Sequence, residues 1–527
     1  MKQRWILKFS ILILYALSAQ AVEKYDIRGY VRDKDSGETL PYANISVEGS
    51  NRGSITNNDG YFVLVNEPAG MCTLKVKYIG YKEEVIIVNN LKHNKDYLSI
   101  NLVSNIINLE GVTVTASTQI LEMAEKEVSQ ITLSPRQLMQ LPNIGEVDIF
   151  RSLQMLPGIS AASDGESGLY VRGGKPDQNL ILFDGMTIYH VDHFFGFFSA
   201  FNADAIKDVQ LYKGGFPAEY GGRLSSIVKL TGKSGNRSEP QLGVGINLLS
   251  AHGQYERPLG DKATFLFAFR RSYTDLIQSP LYTSIYELMT GDETSAMPGG
   301  GVKSGGMKSG GGMMSAEFQP SFYFYDLNSK LTWTPGKKDI FSISFYSGKD
   351  DLDKSQDFSS MKFNYNETGD EVSMQTSDYN RWGNLGFSGK WSRQWNDRIQ
   401  SDFLVAKSNY FSEYERERNL NTSFSIPGDT SDTKRGFSSS SSEDNTVNDI
   451  SSRFDLTWHA HENHIVKSGI WLSQFESQFN FTLNDSITML ERNSAANLAA
   501  FYLQDKWKLG LSEITAGVRA NYFSGTN

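Results

Sequence analysis

Of the seven histidines in 527 residues, five stand in two clusters, His190-Val191-Asp192-His193 and His459-Ala460-His461-Glu462-Asn463-His464. Imidazoles this close together can ligate a metal, relay a proton or touch a ligand. The second cluster falls in a short turn between strands, where a structural role is expected and no metal. The first precedes Phe194-Phe195-Gly196-Phe197-Phe198, and two roles stay open for His190 and His193: support of that turn, or contact with a ligand. Asp33, Asp35 and Asp59 invite a calcium reading. However, Asp33-Lys34-Asp35-Ser36-Gly37 has neither the spacing nor the closing glutamate of an EF-hand loop, so these read as turn aspartates. The run 298–314 is as rich in glycine as a phosphate-binding loop, but Gly306 is followed by Met307 instead of lysine and no strand-to-helix frame surrounds it. A flexible loop is expected there. No nucleophile lies beside a base, no carboxylates pair at a useful spacing and no cofactor motif occurs. Neither an enzyme nor a cofactor is expected.

The elements that must position such residues are strands. Aromatic residues make up 12% of the chain while mean hydropathy is −0.38. That pairing excludes a bundle of membrane helices but is compatible with a transmembrane barrel, whose strands alternate polar and apolar. A formal charge of −9 with no long basic run argues against a nucleic-acid partner. Cys72 is the only cysteine, which excludes a disulfide framework and a cysteine-based metal site. At the N-terminus Lys2, Arg4 and Lys8 precede an apolar run at 9–17 and then Ala19-Gln20-Ala21, the pattern of a secretory signal cut after Ala21.

Five period-two segments between Tyr25 and Val88, separated by turn residues, predict a small β-sandwich over 22–104. Ser134-Pro135 opens a short helix and a second is expected from about 146 to 156, ended by Pro157-Gly158. From 169 to 230 short strands are punctuated by glycine pairs: Arg172-Gly173-Gly174, Leu182-Phe183-Asp184-Gly185, and Gly214-Gly215-Phe216-Pro217-Ala218-Glu219-Tyr220-Gly221-Gly222-Arg223. Beyond about 236 the pattern becomes long alternating strands, with Tyr325, Leu327, Leu331 and Trp333 on one face and Asp326, Asn328 and Lys330 on the other. Short turns near 259–261, 335–337, 395–397, 461–463 and 510–512 alternate with long polar stretches at about 274–320, 349–380, 412–448 and 476–496. Trp333, Trp391 or Trp395, Trp458 and Trp507 stand beside the short turns, where an aromatic girdle belongs.

The glycine motifs, in this order, resemble the plug domain of TonB-dependent outer-membrane receptors of the type common in Bacteroidetes. Gly29-Tyr30-Val31-Arg32-Asp33, Leu40-Pro41-Tyr42-Ala43-Asn44-Ile45 and Thr56-Asn57-Asn58-Asp59-Gly60-Tyr61-Phe62 resemble the non-catalytic carboxypeptidase-regulatory-like domain. The resemblance implies a mostly β chain: signal 1–21, sandwich 22–104, linker 105–118, an α+β plug at 119–235, and a partial antiparallel transmembrane barrel at 236–527. In the linker, Glu110-Gly111-Val112-Thr113-Val114-Thr115-Ala116 resembles the TonB box, which pairs edge to edge with a strand of the periplasmic TonB protein. The implied partners are TonB with ExbB and ExbD, outer-membrane lipid, and an extracellular solute met on the plug near His190 and His193. About ten strands are counted where a plugged transporter needs about 22, so the chain is expected to lack about half of its barrel. Leu211-Tyr212-Lys213-Gly214-Gly215 departs from the Leu-Lys-Asp-Ala run of SusC-like glycan importers, which leaves a SusD-like lipoprotein partner in doubt. The plug is expected to be held by polar contacts in place of an apolar core. The rival reading is a surface adhesin without transport.

Overall fold

In the computed structural model the described residues are 24–89, 97–105, 125–127, 129–133, 147–161, 168–194, 196–290, 320–363, 370–424, 433–510 and 512–526. The sandwich comprises β1 (Lys24–Asp33), β2 (Asn44–Val47), β3 (Gly53–Ile55), β4 (Tyr61–Pro68), β5 (Met71–Lys77), β6 (Glu84–Asn89) and β7 (Leu98–Leu102). They form two sheets, β4-β1-β7 and β3-β2-β5-β6. Alternation puts Ile27, Val31, Ile45, Phe62, Leu64, Leu74, Val76 and Ile100 between the sheets. The strands β3 and β7 add to the five expected segments. Asp33 acts on its own turn, its Oδ1 accepting from the backbone N–H groups of Asp35 and Ser36 at 3.0 and 2.7 Å after β1, whereas Asp59 reaches out of the sandwich, 3.5 Å from Lys390.

The strand β4 departs from its expected alternation. Its first five residues, Tyr61-Phe62-Val63-Leu64-Val65, are all buried. Phe62 and Leu64 face the sandwich core, while Tyr61, Val63 and Val65 form a separate cluster with Tyr30 and Tyr97. A continuous apolar run is the signature of a strand covered on both faces.

The plug comprises β8 (Glu125–Glu127), β9 (Gln130–Leu133), α1 (Ile149–Gln154), β10 (Ile159–Ser160), β11 (Tyr170–Val171), β12 (Leu180–Phe183), β13 (Met186–Thr187), β14 (Asp192–His193), β15 (Phe198–Ser199), β16 (Ile206–Tyr212) and β17 (Ile227–Gly232). Six of these strands form one mixed sheet in the order β13-β12-β17-β16-β9-β8. Ile181, Phe183, Val209, Leu211, Val228 and Leu230 pack on Ile149, Phe150 and Leu153 of α1, each such side chain contributing roughly 1.5–3 kcal/mol. The helix is shorter than the expected 146–156 because Asp148 caps it, its carboxylate accepting from Arg151 N at 2.9 Å.

The remaining strands are β18 (Gln241–Ile246), β19 (Ser250–Leu259), β20 (Ala263–Ser272), β21 (Ser321–Trp333), β22 (Asp339–Asp353), β23 (Gln356–Phe363), β24 (Asp370–Asn396), β25 (Ile399–Phe424), β26 (Thr433–His461), β27 (His464–Leu483), β28 (Ile487–Leu509) and β29 (Ser512–Thr526). Eleven of them pair in chain order from β18 to β29, against about ten expected, and β23 pairs only with β24. Among the described residues this wall is open. Its polarity is inverted relative to a soluble sheet: Asp326, Asn328, Lys330, Ser344, Ser388 and Gln504 are buried toward the plug, while Ile343, Phe387, Phe403, Phe454, Ile470 and Phe501 are exposed on the outside. Register aligns Trp333, Phe341, Trp391, Phe403, Phe454, Ile470 and Phe501 into one row across adjacent strands, just above the short turns.

Three of the four expected long loops are largely strand: β22, β23 and β24 fill most of 349–380, and β27 and β28 leave only 484–486 of 476–496 outside them. The strands β25 and β26 stay paired from Ile399↔Trp458 to Phe424↔Thr433, so polar sequence at 412–424 and 433–448 continues the ladder. Where both faces meet water, alternation fades but the backbone bonds do not. The stretch at 274–320 contains α2 (Pro280–Thr290), whose Tyr282 and Ile285 are buried. No helix among the described residues is long and apolar enough to cross a membrane.

Candidate functional site: the plug and the wall it meets

The hairpin between β12 and β13 turns at Asp184 and Gly185, with φ of 46° and 87°. Two successive left-handed residues define a tight turn for which Asp-Gly is the favoured pair. The aspartate does more than turn the chain. Its carboxylate accepts from Lys330 Nζ at 2.9 and 3.0 Å, from Ser344 Oγ at 2.8 Å and from Gly232 N at 3.1 Å, and its carbonyl accepts from Ser388 Oγ at 2.9 Å. Lys330, Ser344 and Ser388 are register partners on adjacent strands, so one plug residue spans three strands of the wall. Burial alone would raise the Asp184 carboxyl, but Lys330 and the surrounding donors outweigh it and hold it below the ordinary carboxylate value.

A Cβ built on Gly185 would run into the Leu404 side chain, whereas one on Gly222, at φ 78°, would meet open space. Gly185→Ala is therefore expected to destabilise the chain by about 1–3 kcal/mol, through left-handed strain and displacement of Leu404. Gly222→Ala should cost only the backbone share. Equilibrium denaturation of both variants checks this, and equal losses would refute a wall contact at Gly185.

His193 on β14 is 2% exposed and lies among wall carboxylates. Its Nε2 is 2.8 Å from Asp326 and its Nδ1 meets Asp350. Phe194 N donates to the other Asp350 oxygen at 3.1 Å. Arg270, the register partner of Asp326, donates to it through Nε at 2.7 Å and also to the Ser199 carbonyl at 2.7 Å. The imidazole stacks on Phe324, with centroids 4.4 Å apart. Desolvation opposes its charge, but Asp326 and Asp350 prevail and push its pKa up to about 10. The expectation of a substrate-facing His193 does not hold, because its ring is enclosed on all sides by its anchors. His190 differs. Its side chain is 28% exposed, its ring lies against Trp382 and Tyr410, and its backbone N–H and C=O are held by Asn384 at 3.2 and 2.6 Å.

The run Glu219-Tyr220-Gly221-Gly222-Arg223 also meets the wall, Arg223 through its charge, which acts on Asp449 of β26. Arg519 donates to the carbonyls of Ala218 and Glu219 at 3.2 and 3.0 Å, Ala218 N donates to Gln504 at 2.9 Å, and Lys467 lies 3.7 Å from Glu219. Burial would raise the Glu219 carboxyl, but Lys467 and Lys229 keep it below the ordinary value. Tyr220 packs against Trp471, with Arg453 over both rings. Arg223 donates only to its own neighbour, the Gly222 carbonyl, at 2.9 Å. The Arg172-Gly173-Gly174 turn stays inside the plug: Arg172 N donates to Gly158 at 2.9 Å, its guanidinium to Ser129 at 3.3 Å, and a Cβ on Gly174 would collide with Ser225.

The seat is not purely polar, contrary to expectation. Phe194, Phe197 and Phe198 of the plug share a cluster with Phe322, Phe324, Leu352, Trp382 and Tyr282, and Tyr346 and Ala406 of the wall enter the plug core. A tethered polar turn must exclude water for its charges to pair strongly, and this apolar ring does so. Among the described residues no group of histidine, cysteine or carboxylate side chains is arranged to hold a metal. In the second histidine cluster His464 pairs with Asp505 at 3.0 Å and Glu462 faces the sandwich. Residues 110–116, the signal, the helix expected at Ser134-Pro135 and the run 298–314 lie outside the described residues.

A small plug is seated through its hairpins on the polar face of an apolar-backed antiparallel wall. Residues 27–114 match the family model of the CarboxypepD_reg-like domain and residues 125–226 that of the TonB-dependent Receptor Plug Domain. The chain thus carries the plug domain of the TonB-dependent receptors behind a carboxypeptidase-regulatory-like domain. Solved structures of similar fold include the ferric enterobactin receptor of Pseudomonas aeruginosa (12% identity, 77% of this chain and 72% of that one, TM-score 0.37). Others are the ferric yersiniabactin uptake receptor of Yersinia pestis (12%, 75% and 72%, 0.37) and an unliganded ferric citrate transporter (12%, 78% and 57%, 0.45). No curated protein matches the chain.

Proposed function

We infer that this chain belongs to an energy-coupled receptor of the bacterial outer membrane that takes up an extracellular solute when TonB, driven by ExbB and ExbD, pulls on the segment 110–116 and moves the plug. The observation that carries this reading is the seat itself: separate polar stations at Asp184, His193 and Glu219 on a wall whose other face is apolar. An adhesin needs no partly polar, releasable seat inside a membrane wall. His190, between Trp382 and Tyr410, is the plug residue proposed to meet solute.

The test uses the segment's backbone. Strand addition needs the N–H of Val114, and proline there removes a donor from the ladder. Binding of the purified chain to the periplasmic domain of TonB is expected, with Val114→Pro weakening it at least about tenfold, a loss of ~1.4 kcal/mol or more. Absence of binding by the unmodified chain would favour the adhesin.

A further inference from the structure

The outward face of β4 carries Tyr61, Val63 and Val65, and each is at most 5% exposed. That face points away from the core between the sheets, which Phe62 and Leu64 fill, and Tyr30 and Tyr97 of the same domain flank it. The short turns of the wall cover it. A small cleft is shared by Val63 and Val65 with His459, His461, Glu462 and Ile465, and Tyr61 Oη donates to the Asp397 carbonyl at 3.0 Å.

Around this apolar strip runs a charged rim. Arg398 grips Asp26 with Nε and a terminal nitrogen at 2.6 and 2.8 Å, and Arg28 returns an ion pair to the neighbouring Asp397. Arg52 and Lys24 approach Glu462 at 3.4 and 3.6 Å, and Lys508 donates to the Gly53 carbonyl at 2.8 Å. An apolar centre inside a complementary ionic rim is the anatomy of a recognition surface.

The same domain also holds the plug. Lys229 of β17 donates to Tyr42 Oη and Asn58 Oδ1 at 3.2 and 3.1 Å, Lys207 lies 3.3 Å from Glu38, and Ser234 N donates to Glu38 at 2.5 Å. Between sandwich, plug and wall lies a chamber of about 1230 Å³. We propose that the sandwich carries a docking surface for the short turns of its own wall, and that once docked it clamps the plug to the wall and roofs the chamber beneath it, so that it must leave before the plug can. The docking stands on geometry alone. The requirement for release rests on the uptake reading above.

Spin labels test it on the full chain, in a Cys72→Ser background with cysteines at exposed Met71 and Ser512. The unmodified interface should give one narrow distance distribution. Arg398→Asp or Val63→Asp should broaden it, and Asp26→Arg added to Arg398→Asp should restore it, which separates undocking from misfolding. Amide exchange in β16 and β17 should quicken about tenfold in the undocked variant and return to normal in the charge swap. A broad distribution in the unmodified chain, or one that stays narrow in both single variants, would overturn the docking surface. Broadening without any change in plug exchange would overturn the clamp. Neither result depends on transport, so a failed uptake reading is recognised separately, by absence of TonB binding.

Discussion

Asp326→Ala is expected to produce the largest loss of stability of any single substitution in the plug seat. The change removes the shared acceptor of His193 and Arg270, both at most 2% exposed, and leaves Asp350 as the carboxylate still bonded to His193. Breaking a buried pair on one side costs about 3–5 kcal/mol, because the surviving charge is neither solvated nor paired. Urea denaturation of the purified chain in detergent measures this directly. The same site sets a pH dependence. The His193 pKa is raised in the folded chain to about 10 from an ordinary value near 6.5. A raised pKa contributes stability that is complete below the lower value and is lost as pH rises through the higher one. Stability should therefore decline between about pH 6.5 and 10, and His193→Gln should flatten that decline while lowering stability at neutral pH. An identical slope in the variant would show that His193 is not the group responsible.

Lys330→Met should be nearly as damaging, and its pH signature has the opposite sign. The lysine is the only ion-pair partner of Asp184 among the described residues, so its loss leaves a buried carboxylate held by hydroxyl and amide donors alone. That again costs about 3–5 kcal/mol. In the unmodified chain the Asp184 carboxyl lies below its ordinary value. It therefore adds stability above about pH 4 that is lost as pH falls through the folded value. In Lys330→Met, burial takes over and raises that carboxyl, so acidification should stabilise the variant instead of destabilising it. The pair Asp184→Asn with Lys330→Met should recover much of the loss by removing both charges. If the pair is as unstable as the single variant, the defect is one of packing.

The architecture was legible because it is written in local chemistry. Asp184-Gly185 can hardly be anything but a tight turn, and Asp326, Asn328 and Lys330 alternate with Leu327 and Leu331 on one strand. What the sequence does not expose is which strand lies beside which plug turn. That Arg270 faces Asp326, and that Asp326 meets His193, depends on the register of two strands and a hairpin far away in the chain. Hence His193 stays open between turn support and ligand contact when read from sequence, and nothing there shows that Arg519 and Gln504 supply the wall contacts of the Glu219 run. The same limit applies to β4: Tyr61-Phe62-Val63-Leu64-Val65 is plainly apolar on both faces, but the cover for its outer face lies more than 300 residues away. Periodicity misled at 412–448, where strands β25 and β26 run on after their alternation has faded.

The order of the plug sheet has a mechanical consequence. The strand β8 is its outermost member, β9 lies between β8 and β16, and the chain enters the sheet through Glu125. A load applied ahead of Glu125 would act first on the open end of the β8–β9 hairpin, then at Gln130↔Tyr212, and then on Ile131, Thr132 and Leu133 in turn. Each step breaks one or two backbone bonds. Such peeling yields at far lower force than shearing the same strands along their length, where all the bonds would have to fail together. The plug can thus lose its edge progressively while β12, β16 and β17 stay intact, and a weak, sustained pull does the work of a strong one.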